Sequence, residues 1–373
     1  MLIVKEVYLC HRINHKTKKM KKNLRNILVL AMGLMTTVSF AQDWNADSRT
    51  RVDMSGAGDE MSTDQRATVG ATWGGSDWSI HGSTNVNYML GKTMNDAGDA
   101  YVMNKATIGV YEAYASTDLM GYASLTVGRQ ALDYGSGAIL SSNQWGANRS
   151  TWDGFNLGLN LNVADITLGY ASSSEEVSDE TGKSNMWLNA AKADGDWSLN
   201  LLYMSTTIHG GDAMTAMGLD LTYALMGGDL NLAGSYNASS GYSVEDGDMM
   251  SAGATYSVNE SMTATANVTQ YGETAFNVGS ASMGGYASSG SLGYLTANDQ
   301  DLSIGATYNT FGVDLGATMH MITNSENDVE RDVMEVSLAY SLNDNSSLGV
   351  KYATDATGDV ENTYTWLTLT VRP

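Results

Sequence analysis

Charged residues of both signs stand close together in one stretch of the chain: Arg129, Asp133, Arg149 and Asp153 all fall within residues 125–161. Fixed charges separated by a Gly- and Ser-rich run suit an electrostatic filter that attracts or repels a passing ion. Asp314 and His320 form a second candidate set on one strand face. The histidines His81, His209 and His320 lie far apart and show no metal-ligand spacing,. The acidic runs lack the spacing of an EF-hand calcium loop. Ser and Asn are plentiful, but nothing marks a nucleophile and its base, so neither an enzyme, a metal nor a cofactor is implied.

Such charges act only if the chain holds them around a path. Residues 302–321 show how it would. Leu302, Ile304, Ala306 and Tyr308 take every second place, a short break follows, and Val313, Leu315, Ala317, Met319 and Met321 take every second place again. Period two on both arms of a tight break describes a β-hairpin with one apolar and one polar face. The unit recurs at residues 219–236, 252–268 and 336–352, each with a Tyr shortly before the break. Amphipathic strands of about ten residues match what a tilted strand needs to cross a bilayer.

Breaks along the chain predict eighteen strands, with sixteen as the alternative; the least apolar is at 44–54, and losing it alone would leave an odd number. That segment carries Arg49, Arg51 and Asp53. Short breaks, among them 116–118, alternate with longer loops, as periplasmic turns and outer loops do in bacterial barrels. The fold expected is an all-β, transmembrane, antiparallel up-and-down β-barrel. Trp78, Trp197, Tyr223, Tyr256, Tyr308 and Tyr340 each border a short turn and would form an aromatic girdle at the inner membrane–water interface. The only Pro is Pro373, as suits a chain made of ladder-forming strands,.

The N-terminus reads as an address. Met20 opens a basic segment, an apolar run covers 27–38, and Ser39-Phe40-Ala41 supplies small residues before Gln42, which describes a secretory signal peptide cut after Ala41,. Residues 1–19 would precede the start at Met20, and the barrel would occupy 42–373. The only Cys, Cys10, lies in that upstream segment. The chain has 20 Lys and Arg against 41 Asp and Glu; the first 41 residues hold eight of the former and one of the latter. Twelve basic residues against forty acidic ones exclude nucleic-acid binding through phosphates,. Acidic runs at 175–180, 245–248, 326–332 and 355–361 read as loops, where salt screens charge.

Gly128-Arg129-Gln130, Tyr134-Gly135, Trp145, Arg149 and Asp153 ahead of an apolar strand resemble the alginate-export family of outer-membrane barrels and related Bacteroidetes-type porins. The resemblance implies an eighteen-stranded barrel. It would also imply an arginine-lined path for an anionic polysaccharide, whereas only Arg129 and Arg149 stand in the matching segment. A porin in the Gram-negative outer membrane, passing small hydrophilic solutes with a preference for neutral or cationic species, is the expected function. Its partners would be lipid and those solutes. A polysaccharide exporter and a non-conducting structural or adhesive barrel are the alternatives. Parity poses a question for Arg129, which shares a face with Leu125 and Val127 unless Gly128 makes a bulge; Glu112 conflicts with Ile108 and Val110 in the same way. The loop at 274–300, rich in Gly, Ser and Ala and containing Tyr286 and Tyr294, is a candidate to fold over or into the mouth.

Overall fold

The computed structural model describes residues 41–372, except 56–60, 91, 94–101, 104–105, 174–182, 209–210, 244, 279–285, 287–289 and 294. The first half contains β1 (Ala41–Asp53), β2 (Ser62–Gly74), β3 (Trp78–Met89), β4 (Lys92–Thr93), β5 (Val102–Met103), β6 (Thr107–Leu119), β7 (Ala123–Gln130), β8 (Trp152–Asn160), β9 (Asp165–Ser173) and β10 (Lys183–Asp194). The second half continues with β11 (Trp197–Ile208), β12 (Ala213–Leu225), β13 (Leu230–Ser240), β14 (Gly247–Asn259), β15 (Met262–Tyr271), β16 (Asp299–Thr310), β17 (Val313–Asn324), β18 (Glu330–Asn343), β19 (Ser346–Thr357) and β20 (Val360–Val371).

Eighteen of these strands form one sheet, and β4 and β5 make a separate two-stranded ribbon in a long loop. Each barrel strand pairs antiparallel with its neighbour in sequence, and β1 closes the ring on β20 from Ser48↔Val371 to Asp53↔Trp366. Closure removes the unpaired edges that would be costly in lipid. The polar segment at 44–54 is therefore a full member of the sheet, and the count is eighteen. Among the described residues no helix is long and apolar enough to cross a membrane.

Alternation decides the faces. Along β16, Leu302 and Ile304 are 44% and 55% exposed, while Asp301 and Ser303 are 6% and 4% exposed. Leu, Ile, Val and Met side chains at matching parity cover the outside of other strands too, including Val69, Ile80, Leu201, Leu219, Leu315 and Met319. Such a continuous apolar exterior exceeds what a water-soluble monomer exposes.

Turn chemistry sets the registers. Asn259 and Asn343 each sit at a register shift and accept a hydrogen bond from the backbone N–H two residues on, at 2.9 Å in both cases. That is the local bond that makes Asn a turn former. The turn between β6 and β7 lies at 120–122, not at 116–118: Met120 and Gly121 adopt φ of +62° and +76°, and β6 runs on through Thr117. The acidic run at 355–361 is not an extended loop either. Asp355 lies in β19 and is 8% exposed, and the chain reverses tightly at Gly358, φ +57°. The run at 175–180 lies outside the described residues.

One bulge changes the reading of β6. Ser83 pairs with Glu112 but Thr84 pairs with Val110, so Tyr111 is the extra residue. Ile108 and Val110 are exposed on the outside, Tyr111 is 6% exposed, and Glu112 turns inward to lie 3.7 Å from His81. The inserted residue flips the parity, which resolves the conflict at Glu112.

Candidate functional site

The buried apolar cluster lies inside the barrel, where two loops fold in and pack. The first, 131–151, contributes Leu132, Ala138, Ile139 and Leu140, each at most 6% exposed. The second, between β15 and β16, contributes among its described residues Phe276, Val278, Tyr286 and Leu295. They rest on inward side chains of the wall, notably Trp187, Leu202, Met204, Met249, Ile322, Val333 and Trp366. The lumen thus carries large apolar residues as well as small polar ones, because the loops need a surface to pack on.

Charge clamps the first loop to the wall. Arg49 and Arg51 of β1 and Arg66 of β2 donate to backbone carbonyls of Gln144, Trp145 and Gly146. Arg51 also lies 3.8 Å over the Trp145 ring, and Arg49 pairs with Asp64 at 3.0 Å. Carbonyls that leave a loop without a ladder partner need donors, and a guanidinium supplies several from one side chain. Arg149, at the end of the loop, donates to Thr68 Oγ1 and Asn85 Oδ1 at 2.7 and 2.6 Å and covers the Tyr111 ring at 3.4 Å. Burial pulls the Arg149 guanidinium down from its usual range,. The loop tip turns at Gly135, φ +55°, where Ser136 N–H donates to Asp220 at 3.0 Å.

A row of polar side chains in contact holds the second loop. His320 lies 2.8 Å from Asp301 and 3.8 Å from Glu335, and Glu335 lies 3.1 Å from Lys351. Lys351 Nζ donates to the Gly290 carbonyl and stands 5.6 Å from the Tyr286 ring. Tyr286 stacks on Trp366 with ring centroids 5.8 Å apart. Burial, then the neighbouring Glu335 carboxylate, pushes the Tyr286 hydroxyl well above the ordinary tyrosine range,.

The loops meet where Gly290 lies against Trp145. A Cβ on Gly290 would come within 2.1 Å of the indole, and its φ of +64° already disfavours a side chain,. Gly290→Ala is expected to separate the loops at a cost of about 1–3 kcal/mol. A lower urea midpoint for loss of the folded, heat-modifiable band would record it.

Between the loops and β10–β17 a cavity of about 730 Å³ remains open. Asp220, Asp301 and His320 line it from the inward face. Lys192 also borders it, but this residue shares the outward parity of Leu188 and donates to the Asn162 carbonyl at 3.2 Å. A second cavity, of about 620 Å³, opens at the long-loop end beside β9–β12.

The residues expected to line a path divide accordingly. Arg129 and Asp153 do not face it as side chains. The ladder runs through Gly128 without a shift, so Arg129 stays opposite Ala113 and Asp153 on the outer face. There Arg129 binds Asp153 through two hydrogen bonds of 2.7 and 2.6 Å. Asp133 accepts from Ser142 N–H at 2.7 Å within the first loop, and Arg149 is an anchor. Asp314 lies by the Phe311–Gly312 turn, away from the cavity, and accepts from Asn309; His320 is in the row that holds the second loop. His81 faces inward and stacks on Tyr114, while His209 and Tyr294 lie outside the described residues. Trp78, Trp197, Tyr223, Tyr256, Tyr308 and Tyr340 all take the outward parity near short turns. Trp44 and Trp73 join them, with rings 6.3 Å apart.

Sequence reasoning passed over Arg49, Arg51, Arg66, Asp220, Asp301, Glu335 and Lys351. The available signal was period two: Asp47, Arg49 and Arg51 occupy alternate places, as a polar face requires,.

No family model and no curated protein matches the chain. Solved structures do resemble it. OpdK of Pseudomonas aeruginosa, crystallised with vanillate, superposes with a TM-score of 0.70 at 12% identity over 90% of this chain and 100% of that one. OccK8 (OprE) of the same organism gives 0.65 at 13% over 90% and 99%. OccAB4 of Acinetobacter baumannii gives 0.66 at 12% over 89% and 98%. The likeness carries the barrel fold expected from the sequence and does not extend to the alginate-export resemblance. The chain therefore shares the fold of these proteins, a closed antiparallel barrel of eighteen strands.

Proposed function

We propose that this chain is a passive channel of the Gram-negative outer membrane, exported through a signal peptide cleaved after Ala41. It passes small hydrophilic solutes and prefers neutral and cationic ones. The observation that carries this reading is the partly filled lumen: two anchored loops narrow it, yet a cavity of about 730 Å³ persists between them. The apolar exterior and the outward aromatics beside the short turns support residence in lipid, where amphipathic rings favour the interface. Likeness to OpdK, described as an outer membrane protein of Pseudomonas aeruginosa, supports it further. No chemical step is involved; solutes move down their gradients.

Charge preference follows from which groups are spent. Arg49, Arg51 and Arg66 turn their donors to loop carbonyls, so they offer little to an anion, whereas Asp220 and Asp301 border the cavity. Carboxylates on low-dielectric walls raise the local cation concentration. An exporter of anionic polysaccharide would need the opposite arrangement.

Planar-bilayer recording in a steep KCl gradient is the test. A cation-selective zero-current potential is expected, and Asp220→Asn combined with Asp301→Asn should move it toward zero. Anion selectivity would contradict the charge preference. It would direct attention to the arginine cluster and to organic carboxylates such as the vanillate named for OpdK.

A further inference from the structure

The cavity at the long-loop end shares no lining residue with the cavity of about 730 Å³ between the loops and β10–β17. Its volume, about 620 Å³, falls in the range of small-molecule sites,. Ala171 and Met204, 3% and 1% exposed, give it an apolar floor. Trp152 and Tyr242 add rings, and Trp152 is held by an edge contact with Trp187 at 5.9 Å between centroids. Trp187 is fixed in turn by its Nε1–H bond to Asn156 Oδ1, at 3.0 Å.

The polar groups form a directed chain. Thr206 Oγ1–H donates to Asn185 Oδ1 at 2.7 Å, which uses the only hydroxyl proton of Thr206. Tyr242 O–H must then be the donor in its 2.9 Å contact with Thr206,. The chain therefore ends in lone pairs on the Tyr242 oxygen and in N–H donors on the Asn185 amide. An acceptor and a donor held a fixed distance apart beside aromatic rings match a ligand with neighbouring hydroxyls on a ring that has apolar C–H faces. Charge is kept from the floor: Lys183 is exposed at the rim, and Asp153 is bound to Arg129.

We propose that this pocket is a vestibule subsite for neutral polyhydroxylated solutes, small saccharides in particular, captured before they reach the constriction. The assignment rests on the channel reading for its purpose, but the pocket itself can be tested without conduction. Refolded barrel in detergent would be titrated with maltose, with tryptophan fluorescence as the readout. Saturable quenching is expected for the native chain, with an apparent Kd raised about tenfold in Trp152→Ala and severalfold in both Tyr242→Phe and Thr206→Val. Heat-modifiable mobility on gels shows which variants are folded, and the two milder substitutions remain informative if Trp152→Ala does not fold. In bilayers the same sugar added on the long-loop side should produce brief current blocks that the variants shorten. Saturable maltose binding without open steps would remove the channel reading and keep the site. Open steps with no maltose binding, equal binding by all variants, or binding of benzoate in place of maltose would overturn the saccharide subsite and leave the channel reading intact.

Discussion

Replacing Arg49, Arg51 and Arg66 together by alanine is expected to release the first loop from the wall and raise single-channel conductance clearly above that of the native barrel. These side chains carry the charged hydrogen bonds to the carbonyls of Gln144, Trp145 and Gly146. Each such bond contributes about 1.5–3 kcal/mol, so losing one shifts loop docking by roughly tenfold or more. Removing three positive charges also leaves Asp64 without its Arg49 partner, while Asp47 keeps Arg149, and the net loss of positive charge should sharpen cation selectivity. Arg129→Ala is the comparison: that side chain is outside the lumen, and conductance should not change. An unaltered conductance in the triple variant would mean that apolar contacts hold the loop without the clamp.

Trp366→Ala is expected to be the most damaging single substitution. Trp366 is 1% exposed and touches both loops, with Trp145 at 5.4 Å and Tyr286 at 5.8 Å between ring centroids; Tyr364 stacks beside it at 5.7 Å. Truncating a buried Trp costs about 3–5 kcal/mol through lost burial and an unfilled cavity. Because the ring supports two loops at once, the loss should appear twice: as a lower urea midpoint and as noisy, enlarged current steps. A midpoint shift with unchanged steps would confine Trp366 to barrel stability.

Strands were legible because alternation is local. Every strand expected from period two is in the sheet, and the hairpin at 302–321 forms in register, with Ser303 opposite His320. The interior was harder to read. Arg49 and Arg51 made β1 look like the weakest strand when judged by apolar content. Their alternate spacing is what a wall facing a polar loop backbone requires. A single inserted residue at Tyr111 reverses the parity of Glu112, and no neighbour in sequence announces it, since the insertion exists only relative to β3. Gly128 looked able to do the same for Arg129 but adopts φ +130° within an unbroken ladder, where a Cβ would lie 2.2 Å from the Ala113 carbonyl. Infolding was legible only as a candidate at 274–300, because Leu132, Ile139, Leu140, Phe276 and Val278 follow no period. Their partners are far away in sequence. Trp366, near the C-terminal end, fits a terminal girdle by position, yet its parity points it into the lumen.

Liposome swelling with neutral sugars of graded size tests the central claim most directly, since it reads passage through the lumen without reference to charge. With refolded protein from Gln42 onward, a pentose and a hexose are expected to enter quickly and a trisaccharide slowly. That order is what two anchored loops around a persistent cavity should give. Equal rates for all sizes would show that the loops do not constrict the lumen. No swelling with any sugar from a correctly folded, heat-modifiable barrel would contradict the channel and leave a sealed structural barrel.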